Sequence, residues 1–249
     1  MIADTSEVLF AAWRAWVERF PSKFEPAHHD LRFACAGIPV ALFNCGYPRR
    51  AVGRGELLGF IRDFSGILGR WEVPGLLMVR VGHADLPPDL TPVVRMPGMV
   101  ARELRAPKHA MPEVEVKEVR GERMAEEIAR LNVQAHGMPE AEIGPMTCAA
   151  LWGAPNHGFL IYEDGKAVAS GSATHVEGAS YVGWMATDAE YRGRGYAEAI
   201  LRHMDGFMRR EYGVTESALH ATESGQPVYA RMGYRVVDEF VGYLCGVVE

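Results

Sequence analysis

Arginine and glycine alternate through Arg192-Gly193-Arg194-Gly195, and Tyr196-Ala197 then open a helix-like pattern. These residue types suit the capture of an anion. The first turn of a helix leaves backbone N–H groups unpaired, and they carry the positive end of the helix dipole. Gly193 and Gly195 let the backbone come close to a ligand with its N–H groups turned inward. Arg192 and Arg194 add donors for charge-assisted hydrogen bonds. A pyrophosphate would suit such a pocket, although a solvated turn with helix-supporting arginines uses the same residues. The stretch is neither a Walker loop nor a dinucleotide fingerprint, because G-K-[ST] does not follow and G-x-G-x-x-G is absent.

The elements around this loop follow from periodicity. "GFLIYEDGKAVASGSATHVEGASYVGWMAT" predicts three strands joined by two tight turns, the first at Asp164-Gly165. In "YAEAILRHMDGFMRREYG", Ala197, Leu201, Met204 and Met208 recur on one helical face, and Gly213 lies just past the end. "ESALHAT" predicts a strand, "GQPVYARMG" a short helix stopped by Gly233, and "YRVVDEFVGYLCGVV" a final strand or bent strand pair. Upstream, "EVEVKEV" alternates as a strand, "GERMAEEIARLNVQAHG" is a helix ending at Gly137, and "PMTCAALWG" a shorter second helix. The order is strand, helix, helix, three strands, helix, strand, helix, strand.

The leading part, residues 1–110, is richer in Pro and Gly. Thr5 or Ser6 caps a first helix that ends near Phe20. Its aromatic stripe of Phe10, Trp13, Trp16 and Phe20 reads as packing rather than a ligand box. "DLRFACAG", "IPVALFNCG", "GLLMVRVG" and "GMVARELR" read as strands, and "GELLGFIRDFSGILG" as a helix ending at Gly66 or Gly69. "HADLPPDLTP" is a loop or helix start, and "RAPKHAMP" has the composition of a linker. No arginine–glycine loop is read in this part.

Composition narrows the classes. The chain has 249 residues, 48% apolar and 23% charged, with a formal net charge of −6. That is ordinary for a core-forming globular protein and argues against nucleic acid as the main partner. No apolar run approaches the roughly 20 residues of a membrane span. The N-terminus lacks the basic region of a signal peptide. Cys35, Cys45, Cys148 and Cys245 show no CxxC spacing, which predicts buried thiols in a reduced, cytoplasmic protein. No metal site is expected, and a homodimer is left open.

Two motifs together resemble the GNAT acetyltransferase superfamily. Arg192, Gly195 and Ala197 match its [RQ]-x-x-G-x-[GA] pattern after the fourth strand. Tyr229, Gly233 and Tyr234 match a Y-x-x-x-G-[FY] segment after the fifth. The resemblance covers Glu113 to Glu249 and implies an α+β fold with a mixed central sheet flanked by helices. It implies two parts: a catalytic domain at 111–249 and a degenerate GNAT-like or α+β half at 1–110. The stretches "GIPVALFN", "WEVPG" and "MPGMVAREL" are similar to the leading half of two-part relatives.

The resemblance also implies roles. Acetyl-CoA would lie in a V-shaped opening between the fourth and fifth strands. Met185, Ala186 and Thr187 would pair with the pantetheine arm. The loop of Arg192, Gly193, Arg194, Gly195, Tyr196 and Ala197 would receive the pyrophosphate. Tyr229 would protonate the departing thiolate, as a phenol within hydrogen-bond reach can. Backbone N–H groups of the fourth strand would stabilise the oxyanion. The sequence departs from the pattern at Ala189, where a proline is common, and at Thr222, where an asparagine is common. "YVGWMAT" also lacks the glutamate that serves many relatives as base. His136, His175 and Glu177 are the candidates for a base or an acceptor contact, and ordered water is another. The implied activity is acetyl transfer to a primary amine, whether small amine, amino acid or peptide, by direct attack. Cys148 has no His-Asp partnership in the pattern, so a covalent route is not favoured. The competing expectation is a CoA-binding regulatory or interaction module.

Overall fold

The computed structural model describes residues 2–50, 52–82 and 90–246, with the side chain of Arg54 left aside. Residues 83–89, on which most of "HADLPPDLTP" falls, and residues 247–249 lie outside this description. The first part contributes α1 (Ser6–Val17), β1 (Leu31–Cys35), β2 (Asn44–Pro48), α2 (Arg54–Gly69), β3 (Gly75–Arg80) and β4 (Val94–Ala101). The second contributes β5 (Val116–Glu118), α3 (Gly121–Ala135), α4 (Ile143–Met146), β6 (Asn156–Glu163), β7 (Lys166–Val176) and β8 (Ala179–Thr187). It ends with α5 (Tyr196–Tyr212), β9 (Ser217–His220), α6 (Gln226–Met232) and β10 (Arg235–Cys245). The α+β architecture is as expected.

Among the described residues, ten strands join one sheet in the order β1-β2-β3-β10-β4-β9-β8-β7-β6-β5. Neighbours are antiparallel except for two parallel pairs, β2 with β3 and β8 with β9. Each parallel pair is bridged by a helix, α2 in the first part and α5 in the second, as a parallel crossover requires. The two parts also exchange strands. β4 leaves the first part and pairs with β9, while β10 leaves the second and pairs with β3. β4 and β10 then pair with each other at the centre. The sheet is therefore continuous across the boundary drawn near residue 110.

Several elements differ from the sequence reading for identifiable reasons. "IPVALFNCG" is not one strand: Ala41–Phe43 forms a 3-10 turn, and the strand begins at Asn44. The Asn44 amide donates to the carbonyls of Ile38, Val40 and Pro74, at 2.8, 3.2 and 2.8 Å, and so folds the chain back. β4 starts earlier than "GMVARELR" and stops at Ala101, opposite Ser217, where its partner β9 begins. Only Val116–Glu118 of "EVEVKEV" finds a ladder. The expected helix in "PMTCAALWG" is broken into α4 and a 3-10 turn at Ala149–Leu151. There the Thr147 hydroxyl donates to the Ile143 carbonyl at 2.9 Å. The first helix ends at Val17, short of Phe20. No helix among the described residues is long and apolar enough to cross a membrane.

Two core layers flank the site. On one face of the sheet, α5 and α6 pack Ile200, Leu201, Met204, Met208 and Met232 with Phe159 and Leu219. On the other, α1 and α3 pack Trp13, Trp16, Ile128 and Leu131 with Tyr181 and Trp184. Trp13, Trp16 and Phe20 of the aromatic stripe are buried, as expected of packing residues.

Candidate acetyl-donor site

β8 and β9 run parallel for only three pairs, Ser180 with Ser217, Tyr181 with Ala218 and Val182 with Leu219. β9 ends at His220, while β8 continues alone to Thr187. The β9 side of Gly183–Thr187 thus has no strand partner, and the sheet opens as a V. A bulge marks the point of parting: Ser172 pairs with Gly183, but Ser170 pairs with Ala186. Trp184 absorbs the extra residue at φ 50°, a left-handed conformation unusual for a large side chain. Its carbonyl is held by the Ser170 hydroxyl at 2.9 Å and by the Asn132 amide, from α3, at 3.2 Å. The sequence reading missed Asn132 and Ser170. A buried asparagine on the apolar face of α3 was the available signal for the first.

Beyond the open strand the chain makes a 3-10 turn at Ala189–Tyr191 and enters α5. Gly193 and Gly195 both take left-handed conformations, φ 78° and 84°, that disfavour any side chain. Gly195 is the N-cap of α5 and makes no side-chain cap, so the helix presents its first N–H groups free. The two arginines differ. The Arg194 guanidinium pairs with Glu163 at 3.1 Å and stacks over Tyr191, 4.7 Å from the ring centre. Arg192 is exposed and reaches only the Thr187 carbonyl, at 3.3 Å. Among the described residues Arg192 is therefore the loop arginine without a carboxylate contact, although its charge helps to hold the Asp188 carboxyl down. The Tyr196 ring is buried in the core, and its hydroxyl reaches Glu163 and Arg194. Left-handed glycines, free helix donors and an arginine without a carboxylate contact fit a pyrophosphate group.

Tyr229 sits on α6, with Pro227 in the first turn and Gly233 left-handed just past the end. Its ring is 9% exposed and meets Tyr234 edge-on at 5.9 Å. Burial pushes its hydroxyl well above the ordinary tyrosine value, so it holds its proton at neutral pH. Thr222 does not aim its hydroxyl at the opening; it accepts from the Gly225 N–H at 3.2 Å and shapes the turn into α6.

The candidate bases separate. His136 ends α3, facing the Met185 backbone and Arg192. Burial, and then the Arg192 charge, lower its pKa, while the Met185 backbone works in the opposite direction. The ring is thus neutral at physiological pH. His175 lies elsewhere. It stacks on Tyr212 at 4.5 Å, at the last residue of α5. With 1.5 Å rise per residue, that is roughly 24 Å along the helix from the loop. Glu177 is exposed in the neighbouring hairpin turn, at φ 50°. The structure brings His136, Met185 and Arg192 together, and leaves His175 and Glu177 apart from them. Cys148 is not fully buried as the other three thiols are; its Sγ faces the Arg19 carbonyl at 3.7 Å.

A relay that the sequence did not disclose braces the apex of the V. Trp13 Nε1 donates to the Tyr181 hydroxyl at 3.3 Å, and Thr5 Oγ1 donates to Asp238 at 2.8 Å. His220 lies between, 3.2 Å from Tyr181 and 2.9 Å from Thr5. Because Thr5 commits its proton to Asp238, His220 Nε2 donates to Thr5, and Nδ1 accepts from Tyr181. Both ring nitrogens are occupied, so His220 positions β9 against α1 and β10. Burial pushes its pKa down to about 3.

Comparisons with known proteins agree with this fold. Residues 155–236, which span β6 to the start of β10, match the model of an acetyltransferase (GNAT) domain. The whole chain superposes on a GCN5-related N-acetyltransferase from Kribbella flavida with a TM-score of 0.66 and 17% identity. That match covers 95% of this chain and 94% of the other. A protein of the GNAT family from Novosphingobium aromaticivorans gives a TM-score of 0.59 at 18% identity, covering 96% and 97% of the two chains. A functionally unknown conserved protein from Staphylococcus epidermidis gives 0.60 at 10% identity, covering 90% and 94%. No curated protein matches the chain.

Proposed function

We propose that the protein, whose residues 155–236 match the model of a GNAT acetyltransferase domain and whose fold resembles that of full-length GNAT structures, transfers acetyl from acetyl-CoA to a primary amine. The observation that carries this reading is the split between β8 and β9, with the Arg192–Ala197 loop at its open end. In this reading the loop's free N–H groups and Arg192 hold the pyrophosphate. The edge of Met185, Ala186 and Thr187 that has no β9 partner holds the pantetheine arm as a strand would. The division of labour places chemistry in residues 111–249, with residues 1–110 as one wall of the acceptor cleft.

The reaction needs one proton removed and one delivered. The neutral amine nitrogen attacks the thioester carbonyl carbon, and the negative charge on oxygen is stabilised by backbone N–H groups of β8. The C–S bond then breaks and the amine's proton leaves. His136, neutral and beside Met185, accepts it directly or through water. Tyr229 faces the sulfur. Full proton transfer from a phenol raised above its usual value to a thiolate near 8.5 is uphill, about 1.4 kcal/mol per unit. Tyr229 therefore acts as a hydrogen-bond donor to the developing charge, and the thiolate leaves hydrogen-bonded to it and takes its proton from solvent. The acceptor is a small amine, amino acid or peptide. A thiol-release assay with an amine panel tests the reading, and amine-dependent release is the expected result.

The second reading is a CoA-binding module without turnover. The acid-free strand "YVGWMAT" favours it. CoA binding with no thiol release on any amine would establish it instead.

A further inference from the structure

The expectation that residues 1–110 lack an arginine–glycine loop is incorrect. Arg50-Ala51-Val52-Gly53-Arg54-Gly55-Glu56 repeats the pattern of Arg192-Gly193-Arg194-Gly195-Tyr196-Ala197-Glu198: Arg, two residues, Gly, one residue, a small residue, Glu. The two stretches hold the same place in the sheet. One follows β8, opens α5 and precedes the parallel partner β9; the other follows β2, opens α2 and precedes the parallel partner β3. β2 and β3 pair only at Cys45 with Leu76 and Gly46 with Leu77, then part as β8 and β9 do.

A cavity of about 220 Å³ occupies that second opening. Tyr47 and Pro48 line it from β2, Met78 and Arg80 from β3, and Arg49 and Arg50 from the loop. Tyr47 is 4% exposed, and its hydroxyl, beside the Cys45 thiol, meets no oxygen or nitrogen partner among the described residues. Arg32 also lines the cavity: its Nη1 donates to Glu7 at 2.7 Å, while its buried Nε has no partner among the described residues. Arg49 is exposed, and among the described residues its guanidinium meets no acceptor. The chain as a whole is acidic, yet four arginines line this opening against Asp4 and Glu7.

The loops differ in what fills them. Glu198 turns along α5 to Arg202, at 2.6 Å, and leaves the helix N-terminus open. Glu56 turns back: its carboxylate accepts from the Gly53 N–H at 3.0 Å and from Arg50 at 2.6 Å. Gly53 is correspondingly extended, φ −72°, where Gly195 is left-handed.

We propose that the N-terminal half carries a second anion-binding cleft, for a ligand bearing a phosphate or pyrophosphate group, and that Glu56 stands in for that anion. The Arg50 and Gly53 donors satisfied by Glu56 are the ones a phosphate would take, and Arg49, Arg32 and Tyr47 supply the rest. Glu56 is thus a built-in competitor. Its carboxyl is held down at about 2 by Arg50 and the Gly53 N–H, so it remains charged at every physiological pH.

Calorimetric titration with inorganic pyrophosphate tests this on the full chain, in the Arg192→Ala background that weakens the other loop. Glu56→Gln is expected to bind at least tenfold tighter than the chain with Glu56 intact, and adding Arg49→Ala is expected to abolish the gain. No gain in Glu56→Gln, or a gain indifferent to Arg49→Ala, would overturn the proposal. The Gly53 amide resonance gives a second reading without touching Glu56. Titrating pyrophosphate into the wild type is expected to shift it saturably, and an unmoved resonance at millimolar pyrophosphate would also overturn the proposal. These readouts do not depend on acetyl transfer, so the second cleft and the donor site stand or fall separately.

Discussion

Arg192 and Arg194 are two residues apart and have different work. Arg194 is tied to Glu163 and stacked on Tyr191, whereas Arg192 meets only a carbonyl. Losing a hydrogen bond to a charged ligand costs about 1.5–3 kcal/mol. Arg192→Ala is therefore expected to raise the KM for acetyl-CoA roughly 10- to 100-fold, with Arg194→Ala within about threefold of wild type. Steady-state kinetics of the two variants side by side check this, and equal effects would refute the distinction. At Tyr229, Tyr229→Phe is expected to lower kcat on the order of 100-fold while the acetyl-CoA KM holds, because the ring packing survives and only the donor is lost. Both residues were legible in the sequence from motif spacing. What separates the two arginines was not legible, since it depends on Glu163, which the β6–β7 hairpin brings round.

At the scale of elements, β4 is the piece that sequence patterning could not place. It reads as an ordinary apolar strand, yet it belongs between β9 and β10, far from it in sequence. Local periodicity holds no information on such pairing. Helix α5 was legible throughout because its apolar period, its Gly195 start and its Gly213 stop agree. Gly98 shows how tightly β4 is fitted. A Cβ there would stand 1.8 Å from Asp238 Oδ1 and 2.5 Å from Thr5 Oγ1. Gly98→Ala is expected to destabilise by about 1–3 kcal/mol, read as a lower midpoint in thermal melts. An unchanged midpoint would mean that the Thr5–Asp238 contact can move aside at no cost. Excising residues 1–110 would remove β4 along with the first part, stripping β9 of one neighbour and β10 of both. The isolated 111–249 segment is expected to be insoluble or unfolded by circular dichroism.

For the whole molecule, the His220 relay joins α1, β8, β9 and β10 across the exchange of strands. His220 is held neutral when folded, well below the ordinary 6.5 of an unfolded histidine. The unfolded chain therefore takes a proton below pH 6.5 that the folded chain refuses, and stability falls with pH by at most about 1.4 kcal/mol per unit. Asp238, raised by burial, works in the opposite sense and blunts the slope. His220→Gln is expected to flatten the dependence of the urea midpoint between pH 6 and pH 4, and a slope as steep as wild type would exclude His220 as its source.

Acetyl transfer, and not merely CoA retention, is the proposed work of the open strand and the Arg192 loop. Thiol release from acetyl-CoA by the full-length chain, measured with and without a mixed panel of primary amines, addresses it directly. Release is expected to require an amine, to saturate with acetyl-CoA and to fall at least tenfold in Tyr229→Phe. Saturable acetyl-CoA binding with no amine-dependent release would contradict the proposal.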